Sequence, residues 1–137
     1  ILMDAQVACD TAQIHSMHDV TEGGLVTGLR EIATASGLGL AMEEGGVPIL
    51  EPTEEICQAL NLDPMGLLAS GSLVITLSPT EVPSLLAALD KKGIDGWEIG
   101  VMMPPEEGLV YIGRKGQGEL PKFERDELAR YFSRFST

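Results

Sequence analysis

A chain of 137 residues that is 44% hydrophobic is long enough to bury the core of one domain and too apolar to be disordered. Its formal net charge is −12, and of nine basic residues only Arg30 lies within residues 1–90, against thirteen acids there. Such a surface repels phosphate backbones and anionic lipid, no apolar run reaches bilayer length, and no basic-then-apolar leader opens the chain, which argues against nucleic-acid, membrane and secretory roles.

Residues 1–11 form a short, largely apolar segment, expected to be the end of a helix; the start at Ile1 suggests that sequence precedes it. Residues 14–17 read as a brief strand running into His18-Asp19-Val20-Thr21-Glu22-Gly23-Gly24. Leu25, Leu29, Ile32, Ala33 and Ser36 then recur at helical spacing with Arg30 and Glu31 opposite, and Gly37 and Gly39 stop that helix. Residues 38–42 are the next strand and 43–52 an acidic loop. A helix over 53–62 is expected to end at Asp63-Pro64, because proline cannot continue it.

Ala69-Ser70-Gly71-Ser72 is turn chemistry leading into the apolar run 73–77, which suits a strand covered on both faces. Ser78 as cap, Pro79 in the first position and Glu81 in a capping box predict the next helix, with Val82, Leu85, Leu86 and Leu89 buried. Lys91 and Lys92 complement its negative end, and Gly93 closes it. Residues 97–103 and 109–112 read as strands around Pro104-Pro105, and 114–122 as a polar connection. A final helix follows, with Leu128, Tyr131, Phe132 and Phe135 on one face. The alternation predicts an α+β (layered α/β) domain, a mixed β-sheet with helices packed on it.

Cys9 and Cys57 lack metal-ligand or redox spacing; both read as small buried hydrophobes, and free thiols fit a cytoplasmic location. Glu43, Glu44, Glu51, Glu54 and Glu55 read as solvated loop acids, so no metal ligands are assigned. Arg114, Lys115 and Lys122 can reach an anion, or can simply decorate an exposed hairpin. His15 reads as a surface or satisfied core histidine.

Residues 19–24 carry the chemistry. They join a strand to a helix whose first amides point outward with partial positive charge, and paired glycines let an oxygen approach the backbone. Asp19 or Thr21 can cap the helix or hydrogen-bond a ligand, and His18 with Asp19 can position water or magnesium. The plainer reading is a helix start in which Thr21 satisfies an amide and the glycines allow close packing. The segment has no lysine of a Walker A loop and no dinucleotide-type glycine spacing.

Met17-His18-Asp19-Val20-Thr21-Glu22-Gly23-Gly24-Leu25 resembles the M-x-D-x-T-x-G-G-L segment of C-terminal domains in the aminoimidazole-ribonucleotide synthetase-like (PurM-like) superfamily. Val47-Pro48-Ile49, Leu62-Asp63-Pro64, Ala69-Ser70-Gly71-Ser72-Leu73 and Leu120-Pro121 before a helix are similar to the hydrogenase-maturation (HypE-like) branch. The resemblance implies that residues 1–137 are one AIR synthase-related C-terminal domain, separated from an N-terminal ATP-binding domain. It implies an enzyme that uses ATP and Mg2+, held mostly by the N-terminal domain, to phosphorylate an amide-type or similar nucleophile such as a carbamoyl-type substrate. Asp19, Thr21, Gly23 and Gly24 would line the cleft between domains, with Ser70 and Gly71 on a second loop; the full-length protein would be a homodimer through its N-terminal domain. The branch carries a C-terminal cysteine, whereas this chain ends Arg134-Phe135-Ser136-Thr137, which puts nitrile formation in doubt. The alternative is a non-catalytic docking module that retains the fold.

Overall fold

The computed structural model describes residues 1–114 and 116–135, so Lys115 and the terminal Ser136 and Thr137 lie outside the described residues. Among the described residues, five α-helices and six strands follow in the order α1 (Leu2–Thr11), β1 (Ile14–Val20), α2 (Gly24–Ser36), β2 (Gly39–Glu43), α3 (Glu51–Leu60), β3 (Ser72–Leu77), α4 (Val82–Asp90), β4 (Gly100–Met103), β5 (Leu109–Gly113), β6 (Gly116–Glu119) and α5 (Glu127–Phe132).

The strands form two sheets rather than one. β1 pairs antiparallel with β3, while a mixed sheet runs β4-β2-β5-β6 with β2 and β5 parallel and the outer pairs antiparallel. A register shift between Ile14 and Ser16 rotates the first residues of β1. Ile14 and Met17, three positions apart, thereby pack into the same cluster as Ala8 of α1 and Leu85 and Leu89 of α4. β3 is covered on both faces, as its composition predicts: Ile75 and Leu77 enter that cluster, and Val74 enters the other core.

The larger core joins Val26, Leu29 and Ala33 of α2 to Leu40 and Met42 of β2, with Met65 and Leu120 closing it. Fully burying side chains such as Met42 and Leu120 contributes about 1.5–3 kcal/mol each. α2 ends in a Schellman pattern: Gly37 adopts φ 66, and Leu38 donates its amide to the Ala33 carbonyl.

The start of α2 is the tightest point of the fold. Gly24 has φ 70, and a β-carbon there would lie 2.5 Å from the Met65 carbonyl oxygen and 2.6 Å from that of Leu67. The turn it presses on is a 3-10 segment, Pro64–Gly66, opened by Asp63, whose Oδ1 accepts the Met65 amide at 2.9 Å. Gly66 in turn lies under the Phe123 ring, 2.6 Å from where its own β-carbon would sit.

Several expectations are corrected. α3 ends at Asn61, which takes the left-handed conformation (φ 53) while Leu62 donates to the Cys57 carbonyl; Asp63-Pro64 opens the following turn instead. α4 begins at Val82 without a side-chain cap: Ser78 pairs its hydroxyl with Thr80, and Glu81 accepts the Gln13 amide, tying α4 to the α1–β1 link. Trp97 is 53% exposed and precedes β4 rather than lying in it. Cys57 is buried, which pushes its thiol up, but Cys9 is exposed on the outer side of α1.

The polar connection after β5 contains a strand, β6, whose Gly-Gln-Gly-Glu sequence has no apolar alternation to announce it. The expected apolar face of the last helix is not buried. Leu128 is 41%, Phe132 58% and Phe135 67% exposed, whereas Glu127 is buried. Glu127 accepts the Asp63 amide at 3.0 Å and pairs with Arg130, whose guanidinium also reaches the Asn61 carbonyl. Arg130 holds the Glu127 carboxyl below the usual carboxylate range, against the opposing effect of burial, and the Asp63 amide assists.

Three substitutions test these contacts. Gly24→Ala adds both a left-handed strain and a backbone collision, and is expected to cost about 3 kcal/mol in denaturant unfolding. Gly71→Ala, with φ 101 but open space around it, is expected to cost only about 1 kcal/mol. Glu127→Gln weakens a buried charge-assisted pair and is expected to cost about 2 kcal/mol at pH 7. Because the folded carboxyl titrates below its unfolded value, that advantage of the native residue persists above about pH 4.3 and fades as pH falls through the folded value. Tm measured from pH 7 to 3 on both proteins checks it.

Candidate functional site

β1 extends through His18, Asp19 and Val20, so the motif begins inside the strand and turns only at Thr21. In the antiparallel ladder Asp19 faces Leu73 and Val20 faces Ser72. That register places the end of β1 beside the start of β3, and the loops 21–24 and 69–71 therefore meet at one end of the ladder. The Thr21 carbonyl joins them, accepting the amides of Gly24 at 3.4 Å and Ala69 at 3.3 Å. Ser70 and Gly71 form the tip of an exposed turn closed by Ser72 donating to the Ala69 carbonyl.

The expected cap is absent: α2 has no side-chain cap, and its N-cap is Gly23 at φ 80. Thr21 engages through its carbonyl, leaving its hydroxyl without a hydrogen-bond partner among the described residues. The Asp19 carboxylate is 63% exposed and 3.8 Å from His18 Nδ1. Among the described residues, the Asp19 carboxylate thus has only the His18 ring beside it, and the Thr21 hydroxyl makes no hydrogen bond.

The glycines have separate reasons. Gly24 is demanded by the carbonyls of the 65–67 turn, and a β-carbon on Gly23 would sit 2.5 Å from Thr27 Oγ1. The Gly23 amide, however, already holds an anionic oxygen. It donates to Asp126 Oδ2 at 3.1 Å, from a residue 103 positions later. This is the contact at the loop that the sequence reading missed. Asp126 is legible as a helix cap, since its Oδ1 accepts the Leu128 amide at 2.8 Å, but nothing local announces its long-range partner.

His18 pairs through Nε2 with Glu31 of α2 at 2.6 Å, so it fastens β1 to α2. His15 is exposed. Arg30, the one cation of the first ninety residues, donates to the carbonyls of Leu120 at 2.7 Å and Pro121 at 3.3 Å, away from the loop. Glu44 accepts the Arg114 amide at 3.0 Å, and burial, helped by Glu44, pushes the Tyr111 phenol up to about 12. Among the described residues no three His, Cys, Asp or Glu side chains converge to hold a metal ion, and no helix is long and apolar enough to cross a membrane.

The geometry is matched by comparison with known proteins. Residues 1–112 fit the family model of AIR synthase related protein, C-terminal domain. Carbamoyl dehydratase HypE of Cupriavidus necator is 31% identical over 100 residues, covering 63% of this chain and 28% of that protein. The crystal structure of Escherichia coli HypE, a hydrogenase maturation protein, superimposes with a TM-score of 0.82 at 26% identity, covering 94% of this chain and 42% of that one. A HypE solved in complex with ATP gives a TM-score of 0.78 at 29% identity, over 88% of this chain and 39% of that one. The chain therefore spans less than half the length of these relatives. With its motif, topology and family match in agreement, the chain belongs to the AIR synthase related C-terminal domain family, on the HypE-like branch.

Proposed function

We propose that this chain is the substrate-side C-terminal domain of an ATP-dependent enzyme that phosphorylates an amide-type or similar nucleophile. The observation that carries the reading is the Gly23 amide, seated at the positive end of a thirteen-residue helix and already holding a carboxylate oxygen. A phosphoryl oxygen makes the same demand on that amide. Beside it lie the exposed Asp19 carboxylate, next to His18, and the Thr21 hydroxyl, with the 69–71 turn as one rim.

In phosphoryl transfer the protein mainly positions groups and stabilises charge. Here the Gly23 amide would hold an oxygen of the transferred group, and the Thr21 hydroxyl would orient the nucleophile or a phosphate oxygen. The exposed Asp19 carboxylate would take a shared place beside Mg2+, since no three ligating side chains converge among the described residues. The adenine nucleotide and the remaining ligands of Mg2+ would come from an N-terminal domain, as would the interface of a homodimer. ATP supplies the phosphoryl group when bound there. Such a protein would work in the cytoplasm.

A second reading, a non-catalytic docking module, is favoured by the outer face of the four-stranded sheet. Val101 and Ile112 are 51% and 40% exposed there, with Glu43 and Glu119 at alternating register positions on the same face.

Asp19→Ala in the full-length protein separates the two. ADP release is expected to fall at least a hundredfold, the scale of losing one transition-state contact. Tm should stay within about 2 °C, because Asp19 supports little of the fold. Unchanged turnover sinks the assignment of Asp19 to the site, and no ADP release from either protein favours the docking reading.

A further inference from the structure

The last part of the chain lies across the start of α2 and is fastened unevenly. Leu120 is buried in the larger core, and its carbonyl, with that of Pro121, accepts Arg30. Phe123 lies on Gly66. Beyond Phe123 the fastening changes character. Asp126 reaches the Gly23 amide, Glu127 the Asp63 amide, and Arg130 the Asn61 carbonyl, while Leu128, Phe132 and Phe135 remain exposed. α5 is therefore held by polar contacts with little apolar burial, the kind of element that opens at low cost.

We propose that Asp126 is a built-in competitor for the anion position at Gly23, so that a phosphate-bearing ligand must displace the start of α5 to reach the loop. The inference rests on the phosphate reading of residues 19–24, but the contact that motivates it stands by itself. One amide hydrogen serves one strong acceptor well, and a second anion placed beside Asp126 is repelled by its carboxylate. The two oxygens of Asp126 divide the work: Oδ1 caps α5, and Oδ2 occupies Gly23. Release of Oδ2 therefore need not unfold α5, and the anchors at Leu120 and Phe123 keep the segment close to the loop.

The test is an NMR titration of the 15N-labelled chain with sodium pyrophosphate at constant ionic strength, following the Gly23 amide. Wild type, Asp126→Ala and Asp126→Asn are compared; the Asn variant keeps a good helix cap and removes the charge. The expected result is at least tenfold tighter binding to both variants, with the Gly23 resonance among those that move. Equal affinity in all three proteins with Gly23 responding overturns the competition and leaves the loop an anion site. Weaker binding in the variants makes Asp126 a support of the site and overturns it too. No response at Gly23 in any of the three overturns the proposal together with the phosphate reading.

Discussion

The contact on which the rest of the structure depends is the seating of Gly24 against the carbonyl oxygens of Met65 and Leu67. A β-carbon at that position would lie 2.5 Å from the first of them, so only glycine lets α2 begin there. Starting α2 at this point presents Val26, Leu29 and Ala33 to β2 and brings Gly28 against Val20 of β1. It also leaves the helix's first amides beside the open end of the β1–β3 ladder. A packing constraint thus creates the electrostatic feature, since a helix end pinned by its backbone cannot retreat from whatever anion approaches it. Of the glycine pair, read in the sequence as either a ligand cradle or a packing device, Gly24 packs and the Gly23 amide donates to Asp126.

Much of this was legible because it is written locally. The helical spacing from Leu25 onwards, the stop at Gly37, the apolar run of β3 and the close of α4 at Gly93 are each decided by neighbours in the chain, and the structure agrees with them. Failures occurred where tertiary contacts outvoted local chemistry. Glu81 suits a capping box, yet it serves Gln13, sixty-eight residues away. The aromatic spacing after Leu128 suits a buried helix face, yet Glu127 takes the interior because Asp63 and Arg130 satisfy it. β6 has no hydrophobic signature, because its pairing with β5 is carried by backbone hydrogen bonds along an exposed edge.

The candidate site was legible in its first half only. The turn at residues 21–24, its strand-to-helix setting and its approach to residues 69–71 follow from the motif and the ladder register. Its closure by Asp126 does not, since no sequence pattern links positions 23 and 126. In the function proposed for it, this AIR synthase related domain contributes one wall of a divided site. The scarcity of cations in the first ninety residues, with Arg30 turned to backbone carbonyls, agrees with that division. In the account proposed here, the charge that balances a nucleotide's phosphates is supplied by magnesium and by a second domain.

The most direct test of the divided site is calorimetric titration of Mg-ATP into this chain alone and into the full-length protein. The account predicts heat of binding with the full-length protein and none with the chain at comparable concentrations. Tight binding to the chain alone would contradict it, making residues 19–24 a self-sufficient nucleotide site.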